Sequence, residues 1–584
     1  MKTPERKPTP MGRIDLLHGC LLVIAVAVIF GARLGTLPLH GEESRWAGGA
    51  ALMMETNDWI VPRQQLRVFP ERPPLNSWAM AAASTLCGEL NEIAIRLPSV
   101  IGIVLTTLLI FVYSRQFLEP IGALTAAGAY ASMGQVLQIG RLGESESLFT
   151  LFIASSLLFW HWGYNSKWPK LTLWMIPYTA VALGALTKGI QAPVYFFSIV
   201  ATYLLIRRDW RTLFSWQHGV GLLLGAAIIA AWQIPFLQRT ELADTMAIWF
   251  GLVVDRVGTG GLLNHIASYP LETLVCLLPW SLVLPWIFYR TVRQSITKSN
   301  DLLLFLVISI AITYPSVLFS IGAKGRYFMP LYPCIAILIG LITQAAILSD
   351  RKSPAHRAWA RLLILMGTIS ALVGAAIISA NFVPQLEEIA VGPTASAFIV
   401  CLAALCAVII FWAKSSPSRA SFAIYSMVIL LGLIYAGVVM PTRAKTRADH
   451  ASKLAEVRDQ LPADVNLVSM GAVNHRFCFY YGKTIPQIDW PVVASEVPDD
   501  VEYFCFDRHA WDTPERRVEG RGRTFTTTLG TLPFAWEEIT RVHSDNRTGK
   551  NLENYVVIAR RISEPKSSIA QNPNDRGMQK SIAR

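Results

Sequence analysis

Residues 96–114, RLPSVIGIVLTTLLIFVYS, carry one charge at the first position and then eighteen residues with none. A helix needs about 20 mostly apolar residues to cross the hydrocarbon core of a bilayer, where no water can satisfy an unpaired backbone group. Working outward from that stretch, apolar runs of similar length recur at 16–34, 120–138, 147–164, 171–187, 190–206, 217–237, 269–289, 301–321, 328–348, 361–380, 394–413 and 420–440. The reading is a polytopic α-helical membrane protein with about 13 transmembrane helices. Composition agrees, since 53% hydrophobic against 16% charged residues over 584 positions departs from any ordinary soluble chain.

The formal charge of +12 raises the question of nucleic acid, but Lys and Arg fall in short clusters between the apolar runs and form no basic face. Membrane orientation accounts for them, because basic loops stay cytoplasmic. Lys2, Arg6, Lys7 and Arg13 precede the first span, and alternate loops carry Arg115, Lys167 with Lys170, Arg207 with Arg208 and Arg211, Arg290 with Arg293 and Lys298, Arg351 with Lys352 and Arg357, and Lys414 with Arg419. The opposite set contains the long loop 35–95, the acids Glu144 and Glu146, the loop 238–268, and Glu387 with Glu388. This predicts a multi-pass protein of the cytoplasmic membrane with a cytoplasmic N-terminus. An odd span count puts the C-terminal segment on the outer, periplasmic side. The first span is long and lacks a small-residue cleavage site, so it reads as retained.

Residues 1–440 form the transmembrane domain, with the first outer loop at 35–95. From 441 to 563 the apolar runs shorten to strand length in NLVSMG, RFCFYYG, VEYFCF and NYVVIA, with an amphipathic helix at SKLAEVRDQL, which reads as a small soluble α/β domain. Residues 564–584, rich in Ser, Pro, Asn and charge, read as a disordered tail. The eight Cys show no disulfide framework and no metal-ligand spacing; pairing of Cys478 with Cys505 stays open.

The first outer loop is too apolar for an ordinary solvated connection. Residues 44–56 and 75–87 are expected to form short helices lying on the membrane surface. Glu42 and Glu43 stand where the first of these begins, and Glu144 and Glu146 where the fourth span begins. Acids at helix N-termini complement the dipole, so all four have an architectural reading beside a chemical one.

Along the chain, EESRWA at 42–47, NDW at 57–59, ERPPLNSW at 71–78 and IRLPS at 95–99 follow in order. Then come TKG at 187–189, His265, Pro279 with Trp280, and KGRYFMPLYP at 324–333. This series resembles the GT-C membrane glycosyltransferases of the aminoarabinose transferase and protein O-mannosyltransferase type. The resemblance implies transfer of a hexose or pentose from a polyprenyl-phosphate donor to a lipid, glycan or protein acceptor at the outer face of the membrane. Lipid A of the cell envelope is one such acceptor.

The resemblance also implies a catalytic acid at Glu42, where the family usually has Asp, with Glu43, Glu146 and Glu144 as further candidates. Arg72 replaces the family's Lys and is the first choice for the donor phosphate, because a planar guanidinium can bind two phosphate oxygens at once. Arg45, Lys188, Lys324 and Arg326 are the other phosphate candidates. Glu71, His265, Tyr327 and Tyr332 complete the expected substrate pocket. No cofactor is required; Glu42, Glu43, Glu144 and His265 leave a divalent cation possible, but no ligand spacing demands one. Membrane lipids are expected partners and nucleic acid is not. The alternative is a transporter or flippase of lipid-linked sugars, which would place its ionisable residues near the bilayer midplane.

Overall fold

The computed structural model of the chain describes residues 12–251, 261–380, 382–383, 392–414, 416–445, 448–508, 519–520, 523–524, 532–543 and 555–562. Lys2, Arg6, Lys7, Glu387, Glu388 and the tail 564–584 lie outside the described residues. Each of the thirteen apolar stretches falls on helical backbone. Eight of these helical segments are long and apolar enough to cross a membrane, or nine if a bent pair counts as one span.

The first segments are α1 (Arg13–Gly31), α2 (Glu43–Thr56), α3 (Leu75–Cys87), α4 (Glu92–Ser114), α5 (Pro120–Ser132), α6 (Gly134–Ile139), α7 (Glu146–Asn165) and α8 (Lys170–Lys188). The two short helices expected in the first long loop are therefore present as α2 and α3. Asn91 starts α4 by accepting hydrogen bonds from the amides of Ile93 and Ala94, which satisfies two donors that a helix N-terminus leaves unpaired.

Two expected spans are broken. The stretch 120–138 divides at Met133, whose backbone is extended, into α5 and α6. The stretch 269–289 becomes Leu262–Cys276 and a 3₁₀ helix, Trp280–Phe288, bent by 110° from each other. Pro279 stands at that break; proline lacks the N–H that would continue the ladder and steers the residue before it away from helix.

Burial separates the centre of the bundle from its lipid face. The segment Gly325–Ile347 has 89% of its apolar window buried, against 22% for Trp216–Leu237. The central segment meets α5 at glycine: a Cβ on Gly340 would come within 2.5 Å of the Gly122 carbonyl oxygen. Helices in lipid gain little from apolar burial against each other, so close backbone approach through small residues supplies their packing.

One end of the bundle is fixed by Asp15 on α1, which accepts from Arg115 Nε at 2.6 Å and Nη2 at 3.1 Å just beyond the end of α4. At the other end lie α2, α3 and the C-terminal unit. That unit holds a mixed five-stranded sheet in the order 487–488, 468–470, 503–508, 555–561, 536–543, parallel in the first three and antiparallel in the rest. Its alternation follows the strand period of two: Cys505, Val556 and Ile558 join one core with Phe477 and Tyr481, while Phe504, Phe506, Val557 and Ala559 join another on the opposite face.

RFCFYYG is a helix, His475–Tyr481, and not the expected strand. The Asn474 side chain accepts from the Arg476 amide at its start, and Gly482 takes the left-handed conformation at its end, so both caps are encoded locally. The expected helix SKLAEVRDQL is seen as Ala448–Glu456 followed by a 3₁₀ turn at Arg458–Gln460. Cys478 and Cys505 are both free thiols.

Candidate active site

Four chain segments meet at the end of the bundle that carries α2. They are the start of α2 with the segment before α3, the start of α7, the end of α8, and the 3₁₀ turn Gly325–Leu331. Helix termini carry unpaired amides, carbonyls and partial dipole charge, so polar side chains collect there at less cost than in the middle of a span.

Glu42 and Glu43 are neighbours with different fates. Glu43 is fully buried and grips Arg96 of α4 through two bonds, Nε to Oε1 at 2.7 Å and Nη2 to Oε2 at 2.9 Å. It also accepts from the amides of His40 at 3.0 Å and Gly143 at 2.8 Å. Arg96 spends its remaining donors on the carbonyls of Leu34, Leu37 and Pro38. Burial raises the Glu43 pKa, but the charge and hydrogen bonds of Arg96 and then His40 outweigh it and hold the carboxyl well below the usual range. Such a group has no lone pair left for a substrate proton. Glu43, expected among the catalytic candidates, has all its bonds directed to Arg96, His40 and Gly143.

Glu42 makes no side-chain cap of α2 and stays 35% exposed. Its Oε2 pairs with Arg45 Nη1 at 2.8 Å, and the same nitrogen reaches Glu71 Oε2 at 2.9 Å. Arg45 therefore holds two acids at the open edge of the site.

Deeper in, Arg326 pairs with Glu144 and lies 3.7 Å from Glu146 through Nε. Lys188 donates to Glu146 Oε1 at 3.0 Å and stands 5.5 Å over the Phe149 ring and 5.3 Å over that of Tyr327. Arg72 lies within electrostatic reach of both Glu146 and Lys188, and Glu42 within reach of Glu144. Burial and then the negative charge of Glu146 push Glu144 up to about 8, against the opposing charge of Arg326. Burial of two adjacent carboxylates, with Lys188 spent on Glu146, favours a proton on Glu144. Gly41, at φ +67°, is needed here, since a Cβ would stand 2.9 Å from Glu144 Oε1.

The structure thus brings together Glu42, Arg45, Glu71, Arg72, Glu144, Glu146, Lys188, Arg326 and Tyr327. It leaves out three others. Tyr332 is fully buried and donates to the Gly325 carbonyl at 3.2 Å, so it supports the turn that carries Arg326 instead of lining a pocket. His265 Nε2 sits 3.1 Å from the Val317 carbonyl and its ring packs on Tyr269. Lys324 is exposed at the head of the same turn. Among the described residues no group of three or more His, Cys, Asp or Glu is placed to hold a metal ion, and Glu43 and His265 are each committed elsewhere. Sequence reading passes over Arg96, whose only signal is its place in IRLPS.

Comparison with known proteins agrees with this architecture. Residues 71–236 match the family described as dolichyl-phosphate-mannose-protein mannosyltransferase. The undecaprenyl phosphate-alpha-4-amino-4-deoxy-L-arabinose arabinosyl transferase of Pseudomonas aeruginosa is 28% identical over 334 residues, 55% of this chain and 58% of that protein. The protein of the same name from Edwardsiella ictaluri is 27% identical over 351 residues, 58% of this chain and 61% of that one. The chain therefore spans somewhat under two thirds of the length of the curated relatives it matches. The crystal structure of ArnT from Cupriavidus metallidurans bound to undecaprenyl phosphate superposes with a TM-score of 0.64 at 17% identity, covering 92% of this chain and 97% of that one. In its ordered motifs, in the family match over 71–236 and in a fold shared along nearly its whole length with ArnT, the chain is similar to the GT-C membrane glycosyltransferases of the aminoarabinose transferase and protein O-mannosyltransferase type.

Proposed function

We propose that this chain moves a sugar from a polyprenyl-phosphate donor onto a lipid, glycan or protein acceptor at the outer face of the cytoplasmic membrane. The observation that carries the reading is the meeting of Glu42, Arg72, Glu146, Lys188 and Arg326 at one end of the helical bundle, from segments up to 284 positions apart in sequence (Arg326 less Glu42). The relatives, named for undecaprenyl phosphate-linked aminoarabinose, support a donor of that class. The transport alternative gains nothing from this geometry, because the clustered charges lie at helix ends.

In this reading the chain crosses the membrane thirteen times, the N-terminus is cytoplasmic and residues 441–563 form a soluble α/β domain outside. The donor's polyprenyl tail stays in lipid while its phosphate sits among Arg72, Arg45, Lys188 and Arg326, with Lys324 at the rim. A proton on Glu144 leaves part of Arg326 available to phosphate oxygens, and charge-assisted bonds of that kind are about twice as strong as neutral ones. The bond from the anomeric carbon to the phosphate oxygen breaks as the acceptor oxygen bonds to that carbon. The phosphate keeps the electron pair, and the cations hold its charge. Where the acceptor is a hydroxyl, Glu42 takes its proton; where it is already an anion, no base is needed for that step. The reaction requires no metal ion, so a chelator leaves it unchanged.

The test uses purified protein in lipid vesicles supplied with an undecaprenyl-phosphate-linked sugar and an envelope glycolipid fraction. Glu42→Gln and Arg72→Ala each abolish transfer while the protein still inserts and melts as before. Normal turnover by Glu42→Gln would remove the catalytic assignment. A cysteine beyond residue 441 that labels from the cytoplasm alone would overturn the topology.

A further inference from the structure

The C-terminal unit bonds to the first long loop before α2, at the end of α2 and at the hairpin between α2 and α3. The Tyr480 hydroxyl accepts from the Leu39 amide at 2.7 Å and donates to Glu92 Oε1 at 2.9 Å. Leu39 precedes Glu42 by three positions. Thr484 donates to Glu55 Oε2 at 2.5 Å near the end of α2.

The third grip is on the hairpin between α2 and α3, where Arg63–Gln64 pairs with Arg67–Val68. Gln65 at its tip donates from Nε2 to Ser469 Oγ at 2.6 Å and accepts from the Val473 amide at Oε1, 3.1 Å. Its carbonyl accepts from the Gln487 amide at 3.0 Å. Gln65 is 6% exposed, so these bonds are sealed from water. The same hairpin is tied to the site from the other side, because Gln64 Nε2 donates to the Arg45 carbonyl at 2.7 Å.

The tip is a poor turn by itself. Gln65 and Leu66 both have positive φ, +49° and +64°. A two-residue turn of that kind is favoured by Asn-Gly or Gly-Gly, and neither Gln nor a bulky Leu adopts it without strain. Two strands of two residues each add little to hold it. The conformation is therefore supplied by the partner surface at Ser469, Val473 and Gln487. From Val68 only two residues intervene before Glu71 and Arg72, so the direction in which the chain leaves the hairpin sets where those side chains stand.

We infer that the C-terminal unit is a positioning element for the transfer reaction, with Gln65 and Tyr480 as positioning residues that place Arg72 and Glu42 without touching substrate. This rests on the transferase reading. Loss of a hydrogen bond that only fastened one unit to another would lower stability and nothing else. Loss of one that aims a phosphate ligand raises the donor KM, and a small misplacement at a reacting centre is felt steeply in rate.

The experiment uses the full chain in lipid vesicles. Gln65→Leu is expected to raise the donor KM at least tenfold, and Tyr480→Phe to lower kcat at least fivefold with little change in donor KM. The double variant Gln65→Asn with Leu66→Gly forms the turn unaided and is expected to recover most of the affinity lost in Gln65→Leu. Unchanged kinetics in Gln65→Leu and Tyr480→Phe would overturn the inference, as would a double variant no better than Gln65→Leu. Hydrogen exchange over residues 36–74 separates this from failure of the transferase reading. Faster exchange in Gln65→Leu upholds the clamp even if the wild-type protein transfers nothing, and unchanged exchange overturns it.

Discussion

The two ends of the bundle handle buried charge in opposite ways. At the end away from α2, both carboxylate oxygens of Asp15 bond to the Arg115 guanidinium. At the α2 end, Arg326 faces Glu144 and Glu146 together, and Lys188 is engaged by Glu146. The first arrangement is closed: one carboxylate and one guanidinium meet through two bonds in good geometry. The second is shared: Glu146 draws on both Lys188 and Arg326, and Arg326 divides itself between two acids. A closed pair holds helices in place, whereas a shared cation has valence to redirect when another anion arrives. Glu43 with Arg96 shows that closure depends on local pairing and not on which end a pair occupies, for it is as complete as Asp15 with Arg115 and lies beside the shared set.

The contrast can be broken most forcefully at the closed pair. Arg96→Ala leaves the Glu43 carboxylate buried without its partner and is expected to destabilise the protein by about 3–5 kcal/mol, read as a fall in thermal unfolding temperature in detergent. A loss of activity with unchanged melting would mean that Glu43 belongs to the chemistry. Next in size, Glu146→Gln is expected to cost about a hundredfold or more in transfer rate, roughly 2.7 kcal/mol of barrier, with little change in melting. A stability loss as large as that of Arg96→Ala would place Glu146 with the anchors.

Acidity sharpens the comparison further. Glu144 is pushed up to about 8 from an ordinary value of 4.5, so between those pH values the folded chain holds a proton that the unfolded chain has released. Stability from this group is therefore greatest at low pH and falls as pH rises through that window. The Glu144 contribution to melting temperature should decline from pH 5 to pH 8, so wild type should lose more between those pH values than Glu144→Gln does. An unaltered slope in the variant would remove the shared-cation account. The smallest effect is expected at Tyr332→Phe, which loses one neutral hydrogen bond to the Gly325 carbonyl, about 1 kcal/mol, with donor KM unmoved. A raised KM would return Tyr332 to the pocket.

Hydropathy made the helical stretches legible because lipid imposes one rule on every backbone group in a span. It could not reveal the 110° bend at Pro279, since a proline inside a membrane helix is often accommodated. Its strand-like length made RFCFYYG look like a strand, while Asn474 just before the run and Gly482 at its end decided for helix. In the cluster, Glu42, Arg72, Lys188 and Arg326 fall within the ordered motifs, while Glu146 stands outside them at the start of α7. The contact of Arg326 with Glu144 spans 182 positions and has no local signature. Nor does spacing distinguish Glu42 from Glu43, for adjacent identical residues differ only in the direction that helix geometry gives each side chain.

That adjacency bears on the departure from the family's usual Asp at position 42. Because residue 43 carries the buried bonds from α2 to Arg96 of α4, its neighbour is released from that one duty. A side chain so released can lengthen by one methylene without unseating anything around it. The longer side chain then carries the carboxylate about one carbon–carbon bond further from the backbone than Asp would.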